Sequence, residues 1–318
     1  MAPLLQIENL NLDFVINREK IHILNRVSLE IYPHEVLALI GETGCGKSVT
    51  GNAVLRLMQN NVLMEGSVRY KGRDIYAMSE EEFRLLRGRE IAAIPQSPGT
   101  ALNPLMKIGF QASEAAIGAK VEKDNKTAAF LVRRIFRKLG LPDNDHFFQS
   151  YPWSLSGGMC QRALISIGII AKPNLLIVDE PTKAIDWALR REAVELLGKL
   201  RLETGSSMLF ITHDISAARH IADRIAVMYC GEIVETGLAE EVINNPLHPY
   251  TIGLMNAQPS RGFHCINGFM PSFRQLPPGC RFSNRCEYAD ARCKTHEPET
   301  SVSDKEHKVK CLRGKQYA

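Results

Sequence analysis

The 318-residue chain has no apolar run long enough to span a bilayer. Its longest strongly apolar stretch, residues 164–171, falls far short of the ~18 residues expected of a membrane helix. Residues 1–8 lack a basic segment followed by a long apolar core, so no signal peptide is expected. Charge of one sign is also scarce. The formal net charge is +4 and the charged residues are scattered, which gives no footprint for nucleic acid. There is no internal repeat and no low-complexity tract. What is present, 45% hydrophobic and 23% charged residues, is ordinary globular composition. It suits one large or two unequal domains. A cytoplasmic location is expected, with any membrane association made through a partner.

Short apolar segments carry the fold signal. Residues 35–40 form an apolar run that stops at Gly41, and apolar Ala53, Val54, Leu57 and Met58 recur at helical spacing after Lys47. Residues 175–178 and most of 207–211 are apolar without alternation, as in parallel strands covered on both faces. Leu189, Ala193, Leu196, Leu197 and Leu200 suit a crossover helix between them. These are the parts of a nucleotide-binding α/β core. Residues of about 97–172, with a helical pattern at 127–139, read as a mostly helical insertion. Beyond about residue 245 prolines accumulate, which marks a loop-rich appendix.

Gly41-Glu42-Thr43-Gly44-Cys45-Gly46-Lys47-Ser48 fits G-x-x-x-x-G-K-[ST]. The glycines let the backbone curl so that its N–H groups face phosphate oxygens. Lys47 would reach the β- and γ-phosphates, Ser48 would ligate Mg²⁺, and the helix starting there, with Val49 in its first turn, adds its dipole. Chance alone gives such a match in roughly one chain in a hundred. Asp179 and Glu180 end the apolar run at 175–178. Asp179 can hold Mg²⁺ through water, and Glu180 can orient and deprotonate an attacking water. The bland alternative is an acidic pair at a helix N-terminus. Its position after the phosphate loop favours the functional reading. His213 directly follows the third apolar run, and so is expected at the sheet edge where α/β proteins bind ligands.

The order of the motifs GETGCGKS, LSGGMCQR, LLIVDEP and His213 resembles the ATPase subunits of ABC transporters, over the whole chain. The resemblance implies an ABC-type P-loop NTPase core at 1–245, with its helical subdomain at about 97–172, and a C-terminal extension at 246–318. It implies that Ser156, Gly157, Gly158 and Gln161, in the signature motif, close over ATP held by a partner rather than over the chain's own. Gln96 matches the Q-loop glutamine, which senses Mg²⁺ and the γ-phosphate. Phe14 matches the aromatic that stacks on adenine, His213 the switch histidine, and Asp186 the D-loop aspartate. Three departures stand out: Lys183 for a small hydroxyl residue, Ile185 for Leu, and Cys160 where a basic residue is common. Cys45 is a tolerated small residue expected to sensitise the loop to thiol reagents.

Of eight cysteines, Cys265, Cys280, Cys286, Cys293 and Cys311 gather near the C-terminal end. The last four are spaced C-x5-C-x6-C-x17-C. Structural zinc prefers closer pairs, disulfides conflict with a reducing compartment, and unligated core cysteines remain a third reading. Four thiolates also suit an iron–sulfur cluster. Residues 245–251, containing His248-Pro249-Tyr250, and the later Gly279-Cys280-Arg281-Phe282 and Arg285-Cys286 are similar to the extension of oligopeptide and dipeptide importer ATPases. That resemblance implies a [4Fe-4S] cluster on Cys280, Cys286, Cys293 and Cys311, with His248 a packing or partner-contact residue.

The implied activity is ATP hydrolysis driving uptake of peptides or a similar small solute, with nickel or a metallophore as the alternative cargo. The implied partners are a second and different ABC ATPase chain, two transmembrane permease subunits and, indirectly, an extracytoplasmic solute-binding protein. The chain would sit peripherally on the cytoplasmic face of the membrane and bind no nucleic acid. A non-transport ABC ATPase working on nucleic acid or ribosomes would be expected to carry two cores or a strongly basic surface. A purely regulatory chain would be expected to have broken motifs.

Overall fold

The computed structural model describes residues 2–181, 187–302 and 307–313. In chain order the elements begin with β1 (Leu5–Ile16), β2 (Glu19–Ile31), β3 (Val36–Ile40), α1 (Lys47–Val54), β4 (Val62–Tyr70) and β5 (Arg73–Asp74). Then come α2 (Glu80–Leu86), β6 (Ile91–Ile94), α3 (Pro98–Ala101), α4 (Ile108–Gly118), α5 (Asn125–Lys138), α6 (Asp145–Phe148) and α7 (Gly157–Ile169). β7 (Leu175–Asp179), α8 (Trp187–Thr204), β8 (Ser207–Thr212), α9 (Ile215–Ile221), β9 (Arg224–Tyr229) and β10 (Glu232–Leu238) follow. The last are α10 (Ala239–Asn244), α11 (Pro249–Asn256), α12 (Ala291–Thr295), β11 (Thr300–Val302) and β12 (Lys308–Lys310). Among the described residues no helix is long and apolar enough to cross a membrane.

Two compact units divide the chain: residues 1–31, 36–74 and 212–318 form one, and 32–35 with 75–211 form the other. In the first unit, β2, β1, β4 and β5 make an antiparallel sheet. Every other residue at the start of β1 is buried, as pleating requires when one face is covered. A second ladder runs from β3, parallel to β9, through antiparallel β10 and β12 to β11. All five residues of β3 are buried, which explains the uninterrupted apolar run that ends in the phosphate loop. The C-terminal segment is therefore not a free tail: β12 extends the ladder that begins at β3.

In the second unit β6, β7 and β8 pair in parallel. β8 is buried throughout and β7 in all but its last residue. The helices α3 to α7 fill the stretch between β6 and β7. Asp124 caps α5 by accepting from Lys126 and Thr127 N–H. Ala128, Leu131, Val132 and Phe136 put the apolar stripe of α5 inside, and Arg137 and Lys138 meet the negative end of its dipole. Gly109 on α4 is a close-approach glycine, because a Cβ there would lie 2.3 Å from the Phe148 ring.

Candidate functional site

The first unit builds a phosphate loop between β3 and α1. Gly41 (φ +154°) approaches Met228 so closely that a Cβ would meet its carbonyl oxygen at 2.2 Å. Gly46 (φ +113°) takes a left-handed conformation immediately before α1. Lys47 is 4% exposed, and its Nζ donates to the Gly41 and Glu42 carbonyl oxygens at 2.8 and 2.9 Å. The ammonium is thus held inside the ring of main chain rather than on its rim. Thr43 and Gly44 are exposed, while Ser48 and Val49 are half-buried on the first turn of α1. Phe14 is half-buried on β1, opposite Ile21 and Val62. His213 is exposed directly after β8, ahead of α9, which Asp214 caps.

Cys45 departs from expectation. Its side chain is fully buried, and burial pushes its thiol above the ordinary value despite the nearby Lys47. Because the thiolate is the reactive form, the residue is shielded from thiol reagents rather than sensitised to them.

The second unit gathers the acidic strand end and the glutamine. Glu180, 4% exposed, follows β7 and is held by its N–H donating to Ile211 at 2.8 Å. Its φ of +42° is rare for a residue with a side chain and is typical of functional positions. The Gln96 amide donates to its carboxylate at 2.8 Å. Asp179 is half-buried at the last position of β7. Ser156 caps α7 by accepting from Met159 N–H, and it lies on the surface with Gly157. Gly158 is half-buried. Gln161 is buried, with neither amide atom hydrogen-bonded among the described residues. Cys160, also buried, donates to the Pro152 carbonyl. Lys183, Ile185 and Asp186 lie outside the described residues.

Cys280, Cys286, Cys293 and Cys311 line one cavity, together with His248, Phe282, Ser283 and Tyr288. Burial pushes the Cys280 thiol up to about 12, and the other three thiols reinforce the shift. The Ser283 hydroxyl is buried and finds no hydrogen-bond partner among the described residues. There, no three His, Cys, Asp or Glu side chains converge as a single-ion site. Cys265 is exposed and apart. His248 is buried and accepts from Tyr250 N–H, capping α11, and burial lowers its pKa to about 4. It is a neutral packing residue.

The sequence reading missed what anchors this segment. Buried Glu235 accepts from Leu247 and His248 N–H, both at 2.8 Å, and pairs with His307 at 2.7 Å. Buried Glu232 pairs with Arg281 and Lys310 at 3.3 and 2.9 Å. Two acidic residues, Glu232 and Glu235, on a strand that also carries Ile233 and Val234 were the available signal, since buried carboxylates stay inside only when paired.

A family profile described as ABC transporter matches residues 24–183. A second, described as Oligopeptide/dipeptide transporter, C-terminal region, matches residues 234–293. A Brucella ovis protein named for peptide import and ATP binding is 36% identical over 99% of this chain and 98% of its own length. A Brucella abortus protein similarly named is 40% identical over 95% of this chain and 92% of its own. Among solved structures, the ATP-binding cassette MJ0796, as a post-hydrolysis dimer with ADP and Pi, superposes with a TM-score of 0.64 at 25% identity. That likeness covers 74% of this chain and 98% of the other. The fold expected from the sequence, an α/β P-loop ABC ATPase core, is the fold found.

Proposed function

The chain belongs to the ABC transporter family and is one of its ATPases, and on that premise we propose how it uses ATP and for what. It is the ATP-binding subunit of an importer for peptides or a similar small solute. The observation that carries this is similarity over nearly the full chain to relatives named for peptide import, spanning both the ATPase motifs and the extension. The chain pairs with a second, different ATPase chain and docks on two permease subunits at the cytoplasmic face. A solute-binding protein outside delivers the cargo.

Phe14 would stack on adenine while the loop from Gly41 to Val49 wraps the phosphates and Lys47 neutralises them. Ser48, Gln96 and Asp179 are hard oxygen donors of the kind Mg²⁺ takes. Mg²⁺ would neutralise charge on the β- and γ-phosphates. Glu180 accepts the proton of the attacking water, His213 contacts the γ-phosphate, and Ser156 and Gly158 serve ATP on the partner, with Asp186 at the pairing interface. The catalytic contribution is positioning and electrostatics. The domain reading follows the same lines, with an ATPase domain at 1–245 and the extension at 246–318.

For the extension we propose a [4Fe-4S] cluster on Cys280, Cys286, Cys293 and Cys311. The fit rests on four thiols lining one cavity, beside a Ser283 hydroxyl that has no partner among the described residues and could donate to sulfur. A bound cluster would supply a covalent tie between the turn at 280–286, α12 and the end of β12.

Co-expression with candidate permease subunits tests the main reading. The chain should co-purify with the permeases and show ATPase activity stimulated by loaded binding protein; recovery with ribosomes instead would overturn it. Anaerobically purified protein should be brown and contain about four irons per chain. A colourless, iron-free and folded protein would refute the cluster.

A further inference from the structure

Glu42, the second residue of the phosphate loop, is held from the C-terminal segment at its main-chain N–H and at its carboxylate. Its N–H donates to the Tyr250 hydroxyl at 2.9 Å. Its two carboxylate oxygens both accept from Arg285 Nη1 at 3.0 Å. Tyr250 is fully buried, and the Arg285 side chain is 6% exposed, so neither contact is a surface accident. An aromatic trio fixes them: the Tyr250 ring lies 4.6 Å from that of Tyr229 and 5.4 Å from that of Phe282. The Arg285 guanidinium sits 5.8 Å from the rings of both Tyr229 and Phe282. Two further contacts reach the same loop. Gly231 N–H donates to the Cys45 carbonyl at 2.7 Å, and the Met270 methyl stands 3.6 Å from where a Cβ of Gly44 would be.

A phosphate loop works by aiming N–H groups at anionic oxygens. A carboxylate at its second residue opposes that, because it places negative charge beside the site for a highly charged anion. Paired with a largely buried guanidinium, the same carboxylate is cancelled. We propose that Arg285 and Tyr250 are positioning residues of the phosphate loop. Acting through Glu42, they fix the loop's first turn and remove its negative charge, so ATP affinity is set partly by the segment that carries the cysteines. This rests on the reading of the loop as an ATP site. It adds two residues to that site from beyond the ATPase motifs.

The test is a double-mutant cycle on the full chain, measuring MgATP dissociation constants by titration and thermal unfolding of each variant. Arg285→Met should weaken MgATP binding about tenfold, since it leaves a partly buried carboxylate uncompensated. Removing that charge as well, in Arg285→Met with Glu42→Gln, should restore affinity to within about threefold of wild type. Arg285→Lys keeps the charge and should bind nearly as well as wild type. Tyr250→Phe should weaken binding about threefold, with the KM for ATP rising more than kcat falls. If Arg285→Met binds MgATP normally, or if Glu42→Gln fails to rescue it, the inference is overturned. Loss of affinity in Arg285→Lys equal to that in Arg285→Met would also overturn it. A wild-type chain that binds no MgATP would instead sink the ATP reading itself.

Discussion

The Gln96 side-chain amide donates to the Glu180 carboxylate at 2.8 Å. The residue read as γ-phosphate sensor thus touches the residue read as general base. Glu180 is also held in a left-handed backbone conformation by its hydrogen bond to Ile211. An orienting hydrogen bond and a rarely populated backbone conformation thus meet at one carboxylate, which fits the role of positioned base proposed for it.

Glu180→Gln keeps the shape and the hydrogen-bonding reach of the side chain but removes the proton acceptor. Steady-state ATP hydrolysis should fall at least about a hundredfold. ATP-dependent pairing should persist, seen as a dimer in size-exclusion chromatography with MgATP. Hydrolysis at wild-type rate would mean that another group activates the water.

Much of the candidate site is legible in the sequence, and for physical reasons. β3, β7 and β8 are buried along their length, so they read as mostly apolar runs, and each run stops where the candidate site residues begin. The period of α5 is legible because only one of its faces is buried. The clamp on Glu42 is not legible. Tyr250 and Arg285 lie 208 and 243 positions away along the chain, and a hydrogen bond between distant segments leaves no local periodicity. Burial of Cys45 was hidden for the same reason. Its neighbours include Gly231, whose N–H holds its carbonyl from the start of β10.

Thiol chemistry should distinguish the cysteines. Cys45 is fully buried and its thiol is pushed above its ordinary value, chiefly by burial. Fewer thiolates then exist at any pH below that raised value, and reactivity falls with them. Cys265 is exposed. Iodoacetamide at pH 7.5, followed by peptide mass spectrometry, should label Cys265 within minutes while Cys45 stays unmodified in the folded protein. Prompt labelling of Cys45 would show that the loop opens far more readily than its packing implies.

Glu235 is the buried hinge pin of the C-terminal segment. Its carboxylate, 1% exposed, accepts from two successive main-chain N–H groups at Leu247 and His248 and pairs with His307. Those contacts bind the turn before α11 and the residue before β12 to β10. Glu235→Ala would strand two buried N–H groups and a buried imidazole, each of which loses its partner without regaining water. At roughly 1–3 kcal/mol per stranded group, the loss should total about 3 kcal/mol or more. Glu235→Gln, which still offers one carbonyl oxygen, should lose about half as much. Urea unfolding of the full chain reads both values. The order matters as much as the size: equal stabilities for the two variants would mean that the N–H groups find other acceptors, and that β10 does not anchor the segment through this carboxylate.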